Sequence, residues 1–147
     1  MNESEFLNSI DCRFPYQDEP RWRALILQGK TISANASFGV LHEIARKPFG
    51  HGVSEREQLA MLGVWRAEND HPLVQLVVEA AQAIITGNLL PVDRVLELLD
   101  RVRAYPDQYC ALGIISFACD DVHGIADEKR QAIVNFWESS SEEINIE

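Results

Sequence analysis

Apolar positions recur along the chain at intervals of three and four, and Gly, Pro and small polar residues interrupt them at regular points. That is the period of amphipathic helices. Residues 1–17 carry a short helical pattern in Phe6, Leu7 and Ile10. They then turn irregular at Cys12-Arg13-Phe14-Pro15-Tyr16, where Pro15 biases Phe14 toward extended backbone. From there the pattern predicts seven helices. The first runs from Pro20, tolerated in a first turn, to Gly29, with Trp22, Leu25 and Ile26 inward. Ser33 or Asn35 can cap the second, which turns Phe38, Leu41, Ile44 and Ala45 inward and ends by Pro48 and Gly50. Ser54 and Glu57 form a capping box for the third, with Leu59, Leu62 and Trp65 inward.

Asp70 is placed to cap the fourth helix, with Pro72 in its first turn. Its polar residues Gln75, Glu79, Gln82 and Thr86 form one narrow stripe, so the rest is covered and this is expected to be a central helix. Gly87 and Asn88 end it. Pro91 opens the fifth, in which Val92, Val95, Leu96, Leu99 and Val102 alternate with charges at helical spacing. The sixth, Cys110 to Cys119, is apolar nearly all round and reads as a second buried helix. A seventh, from about Ala126 to Glu138, would bury Ile133, Val134, Phe136 and Trp137, leaving a polar tail, 139–147, expected to fray.

Strand signals are nearly absent. The expected fold is therefore one all-α domain over residues 1–147, a compact, irregular HEAT-like helical stack, with an α-helical bundle as the alternative. Pairing the second helix with the third, the fourth with the fifth and the sixth with the seventh gives repeats of roughly 35 residues. The sequences of those pairs do not align.

Composition narrows the class. A chain of 147 residues that is 46% hydrophobic can bury a core and is too apolar for disorder. The longest charge-free run, Ala80 to Val92, has 13 residues where a bilayer span needs about 20. The acidic start, Met-Asn-Glu-Ser-Glu, lacks the basic and apolar regions of an export signal. Cys110 and Cys119 would lie roughly 13 Å apart along one helix, too far for a bridge. Together with Cys12 they read as small core residues of a reduced, cytoplasmic protein.

Charge is the feature that changes the picture. The net charge is -10, which disfavours nucleic acid and membrane surfaces as direct ligands. Residues 21–103 hold nine acids and ten bases, whereas residues 104–147 hold nine acids and two bases. Asp120 and Asp121 close the sixth helix, where the macrodipole disfavours anions by about 0.3–1 kcal/mol, and Asp127 and Glu128 open the seventh. A local rule broken without visible compensation points to function. Asp120, Asp121, His123, Asp127 and Glu128 are accordingly the candidate partner-binding patch. The same charges also suit a plain solubilising loop. As metal ligands they lack the ordered spacing of a calcium loop or a zinc signature.

Catalytic chemistry finds no support in the sequence. His42-Glu43 begins like a helical zinc-protease motif, but Arg46 stands where the second His belongs. His42 reads as a surface or boundary residue, His51 as a loop residue without a partner, and His71 as part of a helix start. There is no phosphate-cradling glycine loop and no nucleophile elbow. Neither thiol of the sixth helix has a sequence environment that would lower its pKa. No catalytic residue, cofactor or metal is assigned, and the chain is not read as an enzyme.

In size, acidity, all-α pattern and lack of catalytic motif, the chain resembles the small immunity proteins that bacteria carry beside polymorphic and contact-dependent-inhibition toxins. The resemblance implies a stoichiometric inhibitor of one cognate toxin domain, frequently a nuclease, whose active site or substrate groove it would block. A nuclease must be basic to hold phosphates, so an acidic partner gains electrostatic steering. The alternative is a helical-repeat adaptor that binds a protein or peptide in a groove. The oligomeric state is left open by the sequence.

Overall fold

The computed structural model describes residues 2–10, 19–45 and 54–119. These form α1 (Glu3–Ile10), α2 (Glu19–Ile32), α3 (Ala34–Ala45), α4 (Glu55–Glu68), α5 (Val74–Thr86), α6 (Val92–Val102) and α7 (Tyr109–Phe117). Among the described residues there is no strand, only one parallel backbone pairing of Leu90 with Cys119. The fold is all-α, as the periodicity predicts. The expected helix over 126–138, the tail 139–147 and the segment with Cys12, Phe14 and Tyr16 lie outside the described residues.

Local chemistry sets the helix ends. Asn2 Oδ1 accepts from the Glu5 N–H at 2.8 Å to start α1. Ser33, not Asn35, caps α3, its Oγ accepting from the Ala36 N–H at 3.0 Å. Ser54 Oγ accepts from the Glu57 N–H at 3.1 Å, as the capping-box pattern requires. Gly87 ends α5 with φ 77°, a left-handed value that glycine adopts without strain. The start of α5 differs from expectation. Pro72 keeps the residue before it from helical backbone, so the helix begins at Val74, and His71 rather than Asp70 serves its entry. His71 Nδ1 accepts from the Leu73 N–H at 3.1 Å and its carbonyl from the Val74 N–H at 2.9 Å.

Among the described helices α3 is covered over even more of its length than α5, the expected central helix. Ten of its twelve residues are buried, against eight of thirteen in α5, and it packs on α1, α2, α4, α5 and α7. Among the described residues consecutive helices pair most closely as α2 with α3, α4 with α5 and α6 with α7, one helix out of step with the first two expected repeats, while the third expected pair involves a helix outside the described residues. The reason lies at the α2–α3 corner. A single residue, Ser33, joins the two helices, and Gly29 lets them meet closely, since a Cβ there would stand 2.9 Å from Val40 Cγ2. By contrast, α6 and α5 are joined by a two-pronged ion pair, Arg94 to Glu79, at 2.8 and 2.7 Å. Contact of α3 with α7 brings together helices that are distant in the chain.

The core includes Trp22 and Trp65, as the sequence predicts. Trp65 is fully buried, donates its indole N–H to the Ser37 carbonyl at 2.8 Å and tilts against Phe38 with ring centroids 5.8 Å apart. Two expectations change. Leu59 faces outward, while its neighbour Gln58 is buried because its amide reaches the Ile44 carbonyl, capping the end of α3 at 3.0 Å. The helix α7 is not enclosed all round, for Tyr109 and Phe117 at its two ends are 51% and 66% exposed.

Candidate functional site

One face of α3 carries Asn35, Gly39, His42 and Glu43, a series at near-helical spacing that places the four side by side. Against it lie α1 and the first turn of α7. Gly39 makes the approach possible: Leu7 of α1 occupies the space a Cβ would need, and Cys110 Sγ lies 3.6 Å from that position. Asn35 then locks the three helices together. Its Nδ2 donates to Glu3 Oε1 at 2.6 Å, and its Oδ1 accepts from the Cys110 N–H at 2.9 Å, satisfying an otherwise orphan donor at the start of α7.

Beside this junction opens a cleft of about 300 Å³. Leu7 and Asn8 line it from α1, His42 and Glu43 from α3, and Tyr109 and Cys110 from α7. The Glu43 side chain is only 3% exposed, and its Oε1 lies 3.9 Å from Nδ1 of the half-exposed His42. The His42 ring in turn tilts against the exposed Phe117 ring, with centroids 5.6 Å apart. Burial pushes the Cys110 thiol up to about 12, the Glu3 charge adding to the effect and the Asn35 hydrogen bond opposing it. The Tyr109 phenol is raised too, by burial first and then by Cys110 and Glu3. Both groups are therefore neutral at physiological pH. A neutral thiol is a poor nucleophile. Among the described residues no group of three His, Cys, Asp or Glu side chains is arranged to hold a metal ion.

The predicted partner-binding residues Asp120, Asp121, His123, Asp127 and Glu128 lie outside the described residues, as does His51. What the structure fixes is the point from which the chain continues toward them. The Leu90 N–H donates to the Ala118 carbonyl at 2.7 Å, and Cys119 is buried beside it. His42 stands at a boundary and His71 at a helix start, in line with their sequence positions. The cleft itself was not read from the sequence. Its signal was the polar residues Asn35 and Glu43 set on one face among the apolar positions of α3.

Compared with known protein families, curated proteins and solved structures, the chain has no match in any of the three.

Proposed function

We propose that the chain is a stoichiometric inhibitor of the immunity type. It binds a cognate basic toxin domain, a nuclease in the first instance, in the cytoplasm and blocks its active site or substrate groove. The observation that carries this reading is the segregation of charge: residues 104–147 hold nine acids against two bases, while residues 21–103 are balanced. Such a field speeds encounter with a basic partner and suppresses wrong ones. Asp120, Asp121, Asp127 and Glu128, with His123 beside them, are the contact residues of this proposal.

A second reading, an adaptor for a protein or peptide, is favoured by the exposed Phe117, Tyr109 and Leu27. The two differ in salt dependence. Affinity capture of the tagged protein from its native lysate, washed at low and then high salt, decides between them. The inhibitor reading expects a basic protein near 1:1 that leaves at high salt and whose activity falls as this chain is added. A partner retained at high salt with undiminished activity supports the adaptor. Recovery of no partner at either salt contradicts both.

A further inference from the structure

We infer that the outer face of α7 is an apolar notch that seats an apolar side chain of the basic partner, one that the partner carries among lysines or arginines. The inference rests on the proposed function for its partner and on α7 for the contact. Tyr109, Gly113 and Phe117 follow one another at four-residue steps, so they stand in line, one turn apart. Cys110 and Ser116 flank the line half-buried, and the other four residues of α7 are buried. Nothing lies within 4 Å of a Cβ built at Gly113. The glycine is thus the floor of a notch, and the exposed Tyr109 and Phe117 rings are its two ends. The Phe117 ring rests against that of His42, which limits the freedom it would lose on binding. No residue of α7 is charged. Exposed aromatic side chains on an uncharged face are what the buried centres of interfaces are made of.

Charge selects the occupant. Asp107 stands two residues before α7, and Asp120 and Asp121 follow Cys119 by one and two peptide units of about 3.8 Å. The end of α7 that carries Phe117 is also the negative end of its dipole. An apolar face bordered in this way fits an apolar side chain bordered by cations. A second copy of this chain would instead bring its own Asp120 and Asp121 to the same place, and like charges set against each other cost binding. With a basic partner the acids set how fast it arrives and the notch sets how long it stays.

The test is an NMR titration of the whole protein with a short amphipathic peptide of Leu and Lys. A peptide of Leu and Glu and a peptide of Ser and Lys serve as controls. Saturable shifts centred on the amides of Tyr109, Gly113 and Phe117 are expected, with either control at least about tenfold weaker. Gly113→Gln fills the notch. The position is open and glycine is a poor helix former, so this variant keeps the fold and should weaken the peptide about tenfold. Phe117→Ala should weaken it about fivefold to tenfold. Unchanged affinity in Gly113→Gln, or equal binding of the Leu and Glu peptide, overturns the inference. A dimer in sedimentation that Gly113→Gln dissociates overturns it in favour of a second copy. Shifts in the amides of residues 126–138 on making Gly113→Gln, with no peptide present, overturn it in favour of the chain's own C-terminal segment. Partner capture separates the two claims. Full capture by Gly113→Gln, with loss on reversing the acidic residues, overturns the notch and leaves the proposed function. Peptide binding at α7 by a protein that captures no basic partner supports the chemistry of the notch and overturns the proposed function.

Discussion

His71 makes the entry to α5 sensitive to acid. Its Nδ1 is the acceptor for the Leu73 N–H, and its ring meets Phe38 and Tyr105 edge-on at 5.4 and 5.0 Å. Burial lowers its pKa from 6.5, with the Asp70 charge opposing. The neutral form is the one the fold holds. Its contribution is complete above about pH 6.5 and is lost as pH falls from there through the lowered folded value, because the unfolded chain takes up the proton first. The urea midpoint should therefore drop between about pH 7.5 and 5.5. His71→Asn keeps an acceptor two residues before Leu73 without titrating, so its midpoint should drop less. An identical drop would place the sensitivity elsewhere. Trp65→Ala should cost about 3–5 kcal/mol in urea unfolding, since it empties a fully buried site and removes the hydrogen bond to the Ser37 carbonyl. A loss under about 1 kcal/mol would contradict that packing. At this scale the sequence was legible where a residue acts on its near neighbours, as Ser54 and His71 do. It was not legible where Asn35 joins Glu3 to Cys110, because those partners are distant in the chain.

Helices were legible because period and punctuation are local, and their pairing was not because it depends on close approach across a corner. Gly29 and Gly63 show the difference. Both interrupt helices, but a Cβ at Gly29 meets Val40, whose branched side chain has little freedom to move in a helix, whereas nothing lies within 4 Å of one at Gly63. Gly29→Ala is expected to destabilise by about 1–3 kcal/mol through overpacking. Gly63→Ala, on the exposed side of α4, is expected to stabilise by about 0.5–1 kcal/mol through helix propensity. Paired urea curves check both signs, and stabilisation by Gly29→Ala would mean that α2 and α3 are not tightly apposed. The polar residues of α3 hid its central place: Asn35, Ser37 and Glu43 are all buried. In α5 the same reasoning from a narrow polar stripe gave a covered helix correctly.

Over the whole molecule, the middle of the sequence is near-neutral in charge and the two ends carry the excess acid, most of it in the last third. The acidic candidate patch was legible as a run of residue types. The cleft was not, because residues near positions 7, 42 and 109 come together only through the fold. Under the proposed function the acidic run attracts a positively charged partner by long-range steering. The most direct measurement is the association rate with the captured partner across ionic strength, for the native chain and for Asp120, Asp121, Asp127 and Glu128 all changed to Lys. The proposed function predicts a native rate that falls steeply with salt and a reversed variant slower by at least about tenfold at low salt. Equal rates with no salt dependence would contradict it.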